Sequence, residues 1–151
     1  MITIYFDGLC KPHPGGVATY GYVVYQDGKA IKKGCRVIGE GEGMTVNVAE
    51  YSALKRALEW LNEQGINDDI VVKGDSMLVI NQMKGLYRIK SKTSKFFVPI
   101  IQKLLERKKI CFVWIPREEN MEADMLSNVA YKRYMLKIAL CKAVFVAHKA
   151  G

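Results

Sequence analysis

"ITIYFDGLCKPHPGGVATYGYVVYQDGKAIKKGCRVI", residues 2–38, sets the architecture. Residues 2–6 are β-branched and aromatic and predict a strand. After a Gly/Pro loop, residues 18–26 and 30–38 predict two more, joined by Asp27-Gly28, a hairpin turn signal. The opening is therefore an antiparallel meander. One residue departs from this pattern. Asp7 ends the first apolar run, and glycines, prolines, Cys10 and His13 follow it at once.

From Thr45 the period changes. Thr45 is placed as an N-cap, Leu54, Leu58 and Leu61 fall on one helical stripe, and Gly65 sits where a C-terminal cap belongs. Residues 69–75 then predict a short buried strand and residues 76–85 a short helix ended by Gly85. Residues 86–95 form a basic connector with no acid. Residues 96–109 predict an amphipathic helix with Pro99 in its first turn, 110–116 a fifth strand, and 120–134 a last helix. The order βββαβααβα combines hairpin and crossover connections, which implies a five-stranded mixed sheet flanked by helices. Residues 1–134 would form one domain. The tail, 135–151, would add a strand, pack on that core or extend from it; if it adds a strand or packs, deleting it would lower stability before touching chemistry.

The chain has 151 residues, half of them apolar, enough for a sizeable single core. Its net charge of +8 is unevenly distributed. Residues 1–75 carry 8 Lys/Arg against 10 Asp/Glu and residues 76–151 carry 15 against 5, so the second half is the face for a polyanion, or a solvated basic surface. The four scattered cysteines give neither a zinc knuckle nor a disulfide framework. No apolar run approaches the roughly 18 residues of a membrane span, and the N-terminus has no charged lead. These features lead to the expectation of a cytoplasmic protein that engages no membrane.

Four acids stand where solvation alone does not explain them. Asp7 and Asp75 each end a buried strand, the usual place of a site in α/β sheets. Glu50 lies one turn ahead of Leu54 on the stripe that faces the sheet, where a charge is costly unless compensated. Asp124 opens the last helix beside the small residues Ala123 and Ser127. Taken singly, three have plainer readings: Asp7 could start a turn, Asp75 could cap a helix, and Asp124 could complement a helix dipole. If all four meet, their repulsion calls for hard divalent cations. Mg²⁺, with Mn²⁺ as its substitute, takes oxygen ligands and keeps positions for water and phosphate. Two such ions would serve phosphodiester hydrolysis.

At these residues the sequence resembles type 1 ribonuclease H, in particular its compact archaeal-like members. "YFDGLCKPHPGG" is similar to the family's D-G-x-C-x-x-N-P-G-G opening, "TVNVAEYSAL" to its T-N-N-x-A-E-Y helix, "VVKGDSMLVINQM" to its G-D-S-x-L-V block, and "WIPREENMEADMLSNVA" to its P-R-E-x-N-x-x-A-D-x-L segment. Each block holds one of the four acids. The resemblance implies the ribonuclease H-like fold and an endonuclease that cuts the RNA strand of RNA/DNA hybrids, leaving 5′-phosphate and 3′-hydroxyl ends. It makes Asp7, Glu50, Asp75 and Asp124 the catalytic, metal-binding carboxylates.

The same resemblance sets the substrate contacts. Gly8 and Leu9 would present main-chain groups near the cut, and Cys10, Asn47, Met77 and Asn81 would line the minor groove, where 2′-hydroxyls distinguish RNA from DNA. Ser76 joins this set. Arg88 and Lys90, with Lys92 and Lys95, would contact DNA-strand phosphates, supported by Lys132, Arg133 and Lys137. Duplex RNA also offers 2′-hydroxyls and is an admissible second substrate. The expected assembly is a monomer.

Three departures from the family pattern stand out. His13 occupies the Asn position of Asn-Pro, Val46 replaces the first Asn of the Asn-Asn pair, and "PREENMEAD" lacks the mobile histidine of many members, leaving Arg117 or Glu118 to assist, with His13 a more remote candidate; His13 and Arg117 also count among the expected substrate contacts. Two alternatives stay open: a nonhydrolytic nucleic-acid-binding module of the same fold, and a DNA-directed nuclease of the recombinase or resolvase type. The first predicts no cleavage of labelled hybrid with Mg²⁺. The second predicts cleavage of duplex DNA in preference to hybrid.

Overall fold

A computed structural model describes residues 1–150. The strands are β1 (Ile2–Lys11), β2 (Val17–Gln26), β3 (Lys29–Glu40), β4 (Ile70–Gly74) and β5 (Ile110–Trp114). The helices are α1 (Val46–Glu63), α2 (Met77–Met83), α3 (Lys92–Leu104) and α4 (Met121–Ala150), with a 3₁₀ turn at Arg117–Glu119 before α4. One sheet runs in the order β3-β2-β1-β4-β5, antiparallel on the meander side and parallel from β1 through β4 to β5. The mixed five-stranded sheet is the one expected from the sequence.

Ile2, Ile4 and Phe6 alternate along β1 and are fully buried against Tyr51, Leu54, Leu58 and Leu61 of α1. That alternation puts Asp7 on the opposite face. Its cross-strand partner is Gly21, where an added Cβ would stand 2.4 Å from the Ala123 carbonyl oxygen of α4. The next residue, Gly8, faces α1 instead: a Cβ there would lie 2.4 Å from the Glu50 amide nitrogen. The two glycines let α1 and α4 close on β1 from its two sides. Thr19 secures the second contact, its hydroxyl donating to the Ser127 carbonyl at 2.8 Å.

Three boundaries differ from the expectation in ways that matter. β1 does not stop at Phe6; it continues to Lys11 because β2 pairs with it throughout, while its parallel pairing with β4 ends at Phe6–Gly74. Asp7 is thus mid-strand on one side and at a ladder's end on the other. α3 begins at Lys92, because the Ser91 hydroxyl accepts the Ser94 amide at 3.0 Å and caps it. Pro99 consequently lies in the interior of α3, on its exposed side, and Lys92 and Lys95 belong to the helix.

The tail is the third difference. It neither adds a strand nor packs on the core. α4 continues through it to Ala150, and after Ala130 no described residue is fully buried, with Tyr131, Tyr134 and Ile138 alone partly covered. The sheet ends at edge strand β3, so the helix outruns the surface it could cover. Among the described residues, no helix is long and apolar enough to cross a membrane.

Candidate active site

Where the β1–β4 ladder ends, the chain has a notch in the sheet, and acids converge on it. Asp7 comes from β1, Asp75 from the residue after β4, and Glu50 from the second turn of α1. Carboxylate oxygens of these three lie within 4.8 Å of one another. Asp124, in the first turn of α4, stands beside Asp7 and is among the groups that raise its proton affinity, but it is outside the trio of mutually close oxygens.

The plainer readings of these acids lose ground in the structure. Asp7 is in a strand, not a turn. The cap of α2 is Ser76, whose hydroxyl accepts the Val79 amide at 3.3 Å, so Asp75 is free of that duty. Asp124 does sit where a helix dipole favours an anion, and it also accepts from Asn128 Nδ2 at 3.3 Å.

The burial and crowding of these carboxylates show in their electrostatics. Desolvation first, and then the Asp75 charge, push the Asp7 carboxyl up to about 7. Glu50 is raised well above its ordinary value by burial and then by Asp7. Its Oε2 is buried with no hydrogen-bond partner, an expensive arrangement for a carboxylate. An all-oxygen donor set with an orphaned buried oxygen fits a hard divalent cation.

Asn120 is a functional residue that the sequence reading missed. It is buried, and its Nδ2 donates to the Phe6 carbonyl at 2.8 Å and to Asp75 Oδ1 at 3.2 Å. It fastens the start of α4 to Phe6 within β1 and to Asp75 just past β4. The Trp114 indole adds a bond to the Asp75 carbonyl at 3.1 Å. The signal was present, since Asn120 stands four residues before Asp124, but an amide carries no charge to flag it. Gly21 was missed for a similar reason.

The expected substrate residues fare unevenly. Met77 is half exposed beside Asp75, and Leu9, Asn47, Ser76 and Asn81 are partly exposed near the notch's helices. Gly8 has a reason of its own: it is required by the approach of α1, whatever it offers a substrate. Cys10 stands apart from these. Its side chain is buried with Ala18 and Ala49, and the thiol donates to the Pro12 carbonyl, so only its main chain is left to face a groove. Leu9 and Cys10 alternate in β1, and this register turns the thiol inward.

His13 and Val46, two of the three departures, meet: the Val46 amide donates to His13 Nδ1 at 3.3 Å. Arg88 and Lys90 are exposed on the loop between α2 and α3. Buried Gln82 holds that loop, donating to the Arg88 carbonyl at 3.1 Å and accepting from Ser94 Oγ at 2.8 Å and from the Tyr51 hydroxyl. Arg117 is exposed, with its guanidinium 3.7 Å from Asp124.

Residues 5–130 match the model of the family described as reverse transcriptase-like. The protein YpeP of Bacillus subtilis is 33% identical over 130 residues, covering 84% of this chain and 57% of the relative. Ribonuclease HI of Halobacterium salinarum is 35% identical over 138 residues, covering 83% of this chain and 62% of the relative. The chain thus spans somewhat over half the length of these curated relatives. Among solved structures, LC11-RNase H1 in complex with an RNA/DNA hybrid superposes with a TM-score of 0.82 at 35% identity, covering 89% of this chain and 99% of that one.

Proposed function

Because this chain belongs to the reverse transcriptase-like family and to its type 1 ribonuclease H members, we propose that it hydrolyses the RNA strand of RNA/DNA hybrids with the help of two divalent ions. The observation that carries this reading is the convergence of Asp7, Glu50 and Asp75 within 4.8 Å, with Asp124 beside Asp7. The binding-module alternative offers no reason to bury and crowd these carboxylates at such electrostatic cost.

Asp7, Glu50, Asp75 and Asp124 would hold Mg²⁺, or Mn²⁺ in its place. Bound there, the ions would activate water and neutralise charge on the departing 3′-oxygen. The chain's own residues do the rest. Asn120 and Trp114 orient Asp75. Gly8 and Gly21 set the distance of α1 and α4 from Asp7. Asn47, Met77 and Asn81 face the minor groove, where an amide can both donate to and accept from a 2′-hydroxyl. Arg88 and Lys90 take phosphates of the DNA strand without reading sequence. Arg117, beside Asp124, is placed to assist a proton or the product where the family's mobile histidine is lacking.

One chain supplies every carboxylate, so the catalytic unit is a monomer. With four free cysteines it suits the reducing cytoplasm. Incubating the purified chain and Mg²⁺ with labelled hybrid, duplex DNA and duplex RNA tests the reading. Cleavage confined to the RNA strand of the hybrid, with slower or no cutting of duplex RNA, is expected. Preferential cutting of duplex DNA would overturn it.

A further inference from the structure

β1 does not end at the notch. It carries on past Asp7 to Lys11, and because side chains alternate along a strand, Lys11 is on the same face as Asp7, about 13 Å further along. On that face lies α4. Tyr131 follows Asp124 by two turns of helix, about 10 Å, so the two are on one side of α4. Strand and helix thus meet twice: Asp124 stands beside Asp7, and the Lys11 ammonium lies 5.4 Å from the centre of the Tyr131 ring. A ring at that distance attracts a cation and restricts where it goes without cancelling its charge.

The carboxylate that could cancel the charge is engaged elsewhere. Lys11 pairs with Val17 of β2 and Val17 with Glu40 of β3, so Lys11 and Glu40 share one cross-strand row, about 10 Å apart. Two long side chains could bridge that gap over a valine. Glu40 instead accepts from the Tyr134 hydroxyl at 2.8 Å, one turn of α4 beyond Tyr131. Lys11 is exposed, and none of the ion pairs among the described residues includes it. Leu9, between Lys11 and Asp7 on the same face, brings no charge. The result is a cation that is seated but unpaired, within reach of the carboxylate notch. An anion from outside the chain suits it, and a nucleic-acid strand seated at Asp7 carries further phosphates in that range.

We propose that Lys11, positioned by Tyr131, takes a backbone phosphate of the RNA strand a few nucleotides from the cut; this rests on the hybrid-hydrolysing function proposed for the chain. Tyr131 touches no substrate and acts through Lys11.

Steady-state cleavage of labelled hybrid by the full chain with Mg²⁺, at several salt concentrations, tests the proposal. Lys11→Gln should raise KM several-fold with kcat unchanged, the mark of binding lost equally from ground and transition states. Its salt slope should fall by roughly one. Lys11→Arg and Tyr131→Phe, which keep the charge and the ring, should stay close to the parental chain. Tyr131→Leu should raise KM by itself and add nothing when combined with Lys11→Gln. A neutral methylphosphonate linkage walked along the RNA strand should find one position that weakens the parental chain and leaves Lys11→Gln unaffected. Parental KM and salt slope in Lys11→Gln overturn the proposal while hybrid cleavage stands, and so does a sensitive linkage found in the DNA strand instead. Tyr131→Leu that lowers the melting temperature with KM untouched overturns the positioning role. A parental chain that does not cut hybrid overturns the proposed function and this contact together.

Discussion

Asn120 donates its side-chain amide to Asp75 Oδ1 at 3.2 Å while the same nitrogen reaches the Phe6 carbonyl at 2.8 Å, so one buried side chain ties a metal-ligand candidate to the residue next to Asp7, where β1 stops pairing with β4. Asn120→Ala removes the donor from a buried carbonyl and should cost about 1–3 kcal/mol of stability. Asn120→Asp places another acid against Asp75 and should raise the Mg²⁺ concentration needed for half-maximal cleavage. Thermal melts and metal titrations read the two effects separately; unchanged metal dependence in Asn120→Asp would contradict a positioning role.

Asp7→Asn and Asp75→Asn should each lower hybrid cleavage by roughly 10²-fold or more while the chain stays folded. Single-turnover assays with Mg²⁺ and circular dichroism check this. Robust cleavage by either variant would remove the carboxylate cluster from the chemistry.

Acidity should matter to the metal-free fold. Asp7 keeps its proton to about pH 7 when folded and releases it near 3.8 when unfolded, and Glu50 is shifted in the same direction. Between those values the folded chain binds more protons, so this contribution to stability, full below about pH 4, is lost as pH rises through 7. Melts in chelator should show Asp7→Asn gaining on the parental chain from pH 5 to pH 8, and added Mg²⁺ should narrow the gap. Parallel curves would show that Asp7 does not titrate in this window.

At Gly21 even one methyl group has nowhere to go, with Ala123 O at 2.4 Å and Ser127 N at 2.7 Å. Gly21→Ala should push α4 from the sheet, cost about 1–3 kcal/mol, and reduce cleavage by displacing Asp124. Gly28→Ala meets no atom within 4 Å and serves as the comparison for activity, though its φ of +80° taxes stability too. Equal activity of the two variants would deny Gly21 its spacing role.

Removing a phosphate contact changes the salt response more than the chemistry. Arg88→Ala and Lys90→Ala should each reduce the slope of log affinity against log salt by roughly one, with cleavage at saturating hybrid unchanged. Binding isotherms at several salt concentrations measure it.

Local chemistry made much of the fold legible. Asp27-Gly28 announced the hairpin, Thr45 its cap, and the Leu54-Leu58-Leu61 stripe the buried face of α1, because turn geometry, capping and periodicity depend on neighbours in the chain. The same kind of reasoning picked out Glu50, since an acid on an apolar stripe is anomalous wherever the helix packs. It failed at α3, where Pro99 looked like a first-turn residue and the serines at 91 and 94 proved the stronger signal. At the tail it left a strand, a packed segment and an extension open, because no cap or turn signal there marks where α4 ends.

What the sequence determined by itself was the order of the elements, the mixed sheet and the four acids that are out of place. Only the tertiary structure decided that three of those acids share a notch, that Asn120 and Gly21 hold the notch to its dimensions, that Cys10 turns inward, and that α4 runs past the last strand. The physical reason is range. Propensity, caps and periodicity act over a few residues, whereas the notch exists because β1 stops pairing with β4 some seventy positions away, and contacts of that separation leave no periodic trace in either partner.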